Sequence, residues 1–206
     1  MAQPGPNSIK LITFDLGNVL VHVDHMQFCR RLAVLTPLAP EAIYNFVFNS
    51  SLEPEYDTGK ITSQEFYEYI VAQFKVAVDF ESFARWWNSL FSPMPEMEEV
   101  VKKLAVKYPL FLLSNTNALH FDYVFNNYPV LKYFTEFVLS YKIGSRKPEK
   151  GIYQYLIQQS GVLPEQILFI DDKMPFVTAA HEHGIQAWQF TSGEGLTQRL
   201  MDQGLW

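Results

Sequence analysis

The first apolar run of the chain, Ile9-Lys10-Leu11-Ile12-Thr13-Phe14, stops at a carboxylate, Asp15. A near-continuous run of this kind suits a strand covered on both faces, as in a parallel sheet. Residues 110–113, 137–139, 167–170 and 185–190 share the pattern. Between these runs the apolar spacing becomes helical. Residues 97–108 set Val100, Val101, Leu104 and Ala105 on one face, and 151–159 and 177–183 also read as helices. Strands alternating with helices predict a doubly wound α/β fold around a parallel sheet.

Residues 23–92 break the rhythm. Helical patterns over 25–35, 40–49, 63–75 and 79–91 follow one another with no strand between them. Thr62-Ser63-Gln64-Glu65 ahead of an apolar run has the form of a capping box with Thr62 as N-cap. The pattern predicts one α/β core made of 1–22 and 93–206, with 23–92 as a helical insert after the first strand. Such an insert would sit over the C-terminal edge of the sheet, where open α/β folds bind ligands. Pro4, Gly5, Pro6 and Asn7 mark residues 1–8 as a loose tail.

Composition narrows the functional classes. Of 206 residues, 48% are hydrophobic and 16% aromatic, enough for an ordinary packed core. The formal net charge is −6 with no basic stripe, which argues against nucleic acid as a partner. No apolar run approaches the ~18 residues of a membrane span, and the first residues lack a charged segment followed by an apolar one. Cys29 is the one cysteine, so no internal disulfide forms and the thiol reads as a small buried apolar group. The expectation is a cytoplasmic protein with no membrane partner; nothing in the pattern chooses between monomer and homodimer.

Four segments carry candidate chemistry, and each follows an expected strand. ITFDLGNVLV delivers Asp15; LFLLSNTN delivers Ser114, Asn115, Thr116 and Asn117; SRKPE carries Lys147; ILFIDDK carries Asp171 and Asp172. Two acids after an apolar strand make a hard-oxygen site suited to Mg²⁺. The Ser114 hydroxyl and the Lys147 ammonium suit phosphate oxygens.

In this order the segments resemble the haloacid-dehalogenase (HAD) superfamily of phosphatases. FDLGNVLV, SNTNALH, RKPEKGIYQ and FIDDK are similar to the bacterial α-glucose-1-phosphate phosphatases and their relatives. The resemblance covers essentially residues 9–190. It implies a Rossmann-like core with a small helical cap and magnesium-dependent hydrolysis of a small phosphorylated metabolite, a sugar phosphate being favoured. It implies Asp15 as nucleophile, forming an aspartyl-phosphate. Asp15, the backbone carbonyl of Gly17 and Asp172 would ligate Mg²⁺, with Asp171 reaching it through water. Ser114 and Asn115 would bind the phosphoryl group, and Lys147 would neutralise charge and orient Asp15.

One departure matters. The family's usual second aspartate, a general acid and base, is Gly17 here. Such help is typically worth about 10²–10⁴-fold, or roughly 3–5 kcal/mol of barrier. Asp24, His22 and His120 are the replacement candidates, unless the substrate carries a good leaving group or activity is lost. Two competing functions follow: a carbon–halogen hydrolase on the same scaffold, or a catalytically weakened binding protein. Phe176 after the fourth segment is expected to narrow the entrance. Arg146 is a candidate for a second substrate anion. Trp86 and Trp87 read as packing, Tyr56 and Thr58-Gly59-Lys60 as a turn, and His181 and His183 as surface residues rather than a zinc pair.

Overall fold

The computed structural model describes residues 9–206, so the expected tail over 1–8 lies outside the described residues. Strands β1 (Leu11–Phe14), β4 (Leu110–Ser114), β5 (Glu136–Leu139), β6 (Ile167–Asp171) and β7 (Gln186–Gln189) form one sheet in the order β5-β4-β1-β6-β7. All four pairings are parallel. β1 is central, with the next sheet strands on one side and the last two on the other, so the chain reverses its winding at β1. That reversal opens a crevice beyond the strand ends.

Alternating side chains supply both faces. Ile12, Phe14, Leu112, Leu168 and Ile170 pack with Val101 and Leu104 of α6 (Pro95–Ala105), Val124 of α7 (Ala118–Asn127) and Leu200 of α11 (Gly193–Asp202). Leu11, Leu113, Val138, Ile167 and Phe169 pack with Ile152 and Leu156 of α9 (Lys150–Ser160) and Val177 and Ala180 of α10 (Met174–Glu182). The five apolar runs become the five sheet strands, each shifted by two residues or fewer. The layered α/β architecture agrees with the expectation.

Between β1 and β4 the chain makes a short antiparallel ribbon, β2 (Val21–Val23) with β3 (Phe91–Pro93), and the insert fills the space between these two strands. The insert holds α1 (His25–Ala33), α2 (Pro40–Phe48), α3 (Leu52–Asp57), α4 (Ser63–Phe74) and α5 (Phe80–Asn88). It has its own apolar cluster, with Phe28, Val47, Phe66, Phe83 and Trp87 fully buried. The Thr62 capping box forms: Thr62 Oγ1 accepts from the Glu65 N–H at 3.2 Å, and Glu65 Oε2 accepts from the Thr62 N–H at 2.8 Å. Among the described residues no helix is long and apolar enough to cross a membrane.

Two expectations need correction. The ribbon was not foreseen, because three-residue strands are too short for a periodic signal. Tyr56 does not sit in a turn but on α3, buried and stacked on Phe66 with centroids 4.4 Å apart. Pro54 reads as a breaker, yet it falls in the first turn of α3, where a missing N–H costs nothing.

The turn that ends α3 packs tightly on the core. Gly59 has φ of +68°, and a Cβ there would lie 2.4 Å from the Tyr141 carbonyl oxygen on α8 (Ser140–Ile143). Gly59→Ala combines left-handed strain with a backbone clash and is expected to destabilise by about 1–3 kcal/mol. Urea unfolding measures it; an unchanged midpoint would show that α3 does not rest on α8.

Candidate active site

The C-terminal ends of β1, β4 and β6 bring Asp15, Ser114 and Asp171–Asp172 to one edge, and the loop before α9 adds Lys147. Asp15, Gly17, Ser114, Asn115, Lys147 and Asp172 line one cavity of about 330 Å³ between this edge and the insert. Asp171 lies fully buried beside it.

Lys147 organises the group. Its ammonium, 1% exposed, donates to Asp15 Oδ1 at 2.7 Å, Asp171 Oδ2 at 2.6 Å and the Leu113 carbonyl at 3.0 Å. A primary ammonium has three hydrogens, so its donors are all engaged. Burial pulls the Lys147 pKa down, but the two carboxylates outweigh that and hold it above the usual lysine value. Asp171 Oδ1 accepts from the Lys173 N–H at 2.8 Å, so both oxygens of Asp171 are held.

Three carboxylates share this single ammonium. Ligand oxygens of Asp15, Asp171 and Asp172 lie within 4.8 Å of one another. Burial raises the Asp15 pKa to about 6 against the pull of Lys147, and the Asp171 charge adds to the rise. Burial, then Asp171, also raises Asp172. Asp172 Oδ1 is buried without a hydrogen-bond partner. An excess of buried negative charge with a bare carboxylate oxygen fits a hard divalent cation.

Loop clamps set the remaining groups. The Asn115 amide closes on the Lys147 backbone from both ends: Oδ1 accepts from its N–H at 2.7 Å and Nδ2 donates to its carbonyl at 2.9 Å. The Asn115 side chain is therefore engaged in holding the Lys147 segment. Ser140 fastens the same loop, accepting from the Thr116 N–H at 2.9 Å and donating to its carbonyl at 3.0 Å. Gly17 sits in the turn into β2, and a Cβ there would lie 3.1 Å from Val23 Cγ2. Asn18 takes φ of 55° and accepts from the Val23 N–H at 3.1 Å, which fixes that turn.

The three replacement acids do not fit the cavity's chemistry. His22 is exposed on β2 and Asp24 caps α1 and pairs with Arg30; neither lines the cavity. His120 lines it, but burial pushes its pKa down to about 3. Its Nε2 meets the Trp87 carbonyl at 3.2 Å, its Nδ1 meets Asn117 Nδ2 at 3.1 Å, and its ring stacks on Trp87 at 4.6 Å. It is a neutral wall residue. Arg146 and Phe176 line the cavity, and Trp87 packs across from the insert to the core, while His183 stacks on Tyr153 instead of facing a metal.

The insert adds residues that sequence reasoning missed: His25, Tyr44, Phe48, Glu53 and Asp57. Glu53 and Asp57 are four apart, a spacing that puts both on one helix face. That spacing was readable, but its direction toward Asp15 was not. Asp57 is buried and accepts from Asn117 Nδ2 at 3.2 Å.

Lys147→Met leaves Asp15 and Asp171 buried beside each other without the ammonium, and is expected to cost about 3–5 kcal/mol at pH 7. The loss raises the folded Asp15 pKa further above its unfolded value. The penalty is therefore complete above the raised pKa and disappears as pH falls toward ~4. Denaturation at pH 7 and pH 4.5 measures this; equal losses at both would remove the charge argument.

The family model for haloacid dehalogenase-like hydrolases matches residues 9–184. A D-ribitol-5-phosphate phosphatase from Bacteroides thetaiotaomicron is 25% identical over 199 residues, covering 93% of this chain and 97% of the relative. A HAD family enzyme from the same organism, solved with magnesium and inorganic phosphate, is 28% identical with a TM-score of 0.80, covering 90% of this chain and 96% of that one. L-2-haloacid dehalogenase from Xanthobacter autotrophicus, at 18% identity, TM-score 0.66 and coverage of 94% and 83%, shares the fold. Since the family model runs from the first strand through every carboxylate of the sheet edge, this chain belongs to the haloacid dehalogenase-like hydrolases.

Proposed function

We propose that this hydrolase is a magnesium-dependent phosphatase that cleaves a small phosphorylated metabolite, a sugar or polyol phosphate, through an aspartyl-phosphate on Asp15. The observation that carries the reading is the Lys147 ammonium held between Asp15 and Asp171 while Asp172 Oδ1 stays bare in the same cavity. Asp15, Asp172 and the Gly17 carbonyl would hold Mg²⁺, with Asp171 behind them. The cation would neutralise the surplus carboxylate charge and the charge on phosphate oxygens. The magnesium and phosphate in the HAD family enzyme support that assignment.

Within this reading each residue has a physical task. Lys147 fixes Asp15 Oδ1, so the carboxylate's other oxygen attacks phosphorus from a set orientation. The Ser114 hydroxyl and the Asn115 N–H donate to phosphoryl oxygens as charge shifts onto them. Water then hydrolyses the acyl phosphate and regenerates Asp15. The insert 23–92 serves as a cap that closes over the edge and excludes water.

The cavity supports a small polar substrate. Its volume is at the lower end for ligand sites. Tyr44 and Phe48 offer ring faces, while Glu53, Asp57, Arg146 and Lys173 offer partners for hydroxyls or a second anion. The relative named D-ribitol-5-phosphate phosphatase supports the same class. A setting in the cytoplasm suits the single buried thiol, Cys29.

A phosphate-release screen over phosphorylated metabolites tests the reading. Asp15→Asn is expected to lower turnover by at least ~10³-fold for every substrate found. Equal turnover by the variant would take Asp15 out of the mechanism, and full activity on haloacids in chelator would favour carbon–halogen hydrolysis. Magnesium near 100 times its dissociation constant is expected to stabilise the fold by about 2.7 kcal/mol at pH 7.5. Asp15 must lose its proton to ligate, and its raised pKa is about 6 without a cation, so this stabilisation should fade below pH 6. Thermal unfolding with and without Mg²⁺ at pH 7.5 and 5 measures both.

A further inference from the structure

Breaking an alkyl phosphate ester leaves an alkoxide that needs a proton. Among the described residues four carboxylates line the cavity: Asp15, Asp172, Glu53 and Asp57. The first two belong to the nucleophile and the cation cradle. The others stand one helical turn apart on α3, on the insert's side of the cavity.

We propose that Glu53 is the proton donor to the departing alcohol and that Asp57, one helical turn on along α3, is a positioning residue that anchors this face of α3 at the cavity; this rests on the phosphatase reading above. Asp57 is anchored to the core by the Asn117 amide, and Asn117 caps α7 in the same loop that carries Ser114. Gly59 seats the end of α3 on Tyr141. Both contacts fix α3 against the reacting edge. Glu53, with 21% of its side chain exposed, keeps access to the cavity.

The surrounding charges decide the protonation state. On α3 itself the Asp57 charge acts on Glu53; Arg146 from the loop before α9 and Lys173 at the start of α10 pull the other way. His25 on α1 comes within 3.9 Å of Glu53, and burial with Lys173 pushes its pKa down to about 4, so it is neutral; Tyr44 on α2 lines the same cavity. Burial comes first, the Asp57 charge second, and together they raise Glu53 to about 8. Burial also raises Asp57 to about 6. At pH 7 the upper member of this carboxyl pair holds its proton, as two acids with separated pKa values require.

The step balances. The P–O ester bond breaks as Asp15 binds phosphorus, the electron pair goes to the leaving oxygen, and the Glu53 proton joins it to give the alcohol. A water then attacks the phosphorus of the acyl phosphate. Its proton returns to Glu53, inorganic phosphate leaves, and Asp15 is restored.

Leaving-group dependence tests the assignment. The magnesium-loaded full chain is assayed on 4-nitrophenyl phosphate, whose phenolate leaves unaided, and on primary alkyl phosphates, D-ribitol 5-phosphate among them. Glu53→Gln is expected to lower kcat/KM on alkyl esters by at least ~10²-fold, because this ratio reports the steps through alcohol release and not the later hydrolysis that all esters share. The same ratio for the nitrophenyl ester should change by less than ~5-fold, and the ratio for the alkyl esters should no longer fall above pH 8. Asp57→Asn keeps the Asn117 contact and should move that alkaline limb to lower pH by about one unit, because the like charge beside Glu53 is gone. Equal losses on both ester types, no loss, or an unmoved limb would overturn the proposal. A parent chain that cleaves the nitrophenyl ester alone has no working donor, which overturns the proposal but leaves the phosphatase reading standing. A parent that cleaves neither overturns both.

Discussion

One ammonium placed under three carboxylates determines how this site is built. Lys147 comes from a loop before α9, Asp15 from the central strand and Asp171 from its neighbour, and the contacts at 2.7 and 2.6 Å hold all three at once. Burying such a group without compensation would be very costly. Its three donors are therefore saturated, the Asn115 amide ties its backbone down, and the Phe169 and Phe176 rings face the ammonium at 5.2 and 5.1 Å. The remaining imbalance is negative, which suits a hard cation at this edge.

The insert meets this centre through few residues. Trp87 spans from the insert's apolar cluster to the ring of His120, and its Nε1 donates to Asn117 Oδ1 at 3.3 Å. Asn117 also accepts from the His120 N–H and donates to Asp57. One asparagine thus links α5, α7 and α3 beside the Ser114 loop. His120 lies within that network as a flat neutral surface, so a histidine beside the reacting edge contributes shape in place of a titrating charge.

Asp15, Ser114, Lys147 and Asp172 were legible in the sequence because each closes or follows a distinct feature, three of them an apolar run that the sheet then aligns. The five strands were legible for the same reason. Asp24, His22 and His120 attracted notice by nearness along the chain; the fold leaves Asp24 and His22 outside the cavity and His120 on its wall, buried and neutral. Glu53 and Asp57 escaped because α3 is six residues long, carries Pro54, and faces Asp15 only through tertiary packing. Asn115 was visible as a polar loop residue, but its grip on the Lys147 backbone depends on two loops meeting. Long, buried, periodic segments are written in local sequence; facing directions across a cleft are not.

The insert's separate apolar cluster has a consequence for how such a protein can change. Phe28, Phe66 and Phe83 stabilise α1, α4 and α5 without touching the sheet's own two clusters. Tyr44 and Phe48, which face the cavity from this side, can be exchanged without disturbing Lys147 and its carboxylates. Ligand preference and bond-breaking machinery then vary as nearly independent traits. A lineage can explore new metabolites while its reactive centre stays intact, and a designer can re-aim the cleft by redrawing one wall.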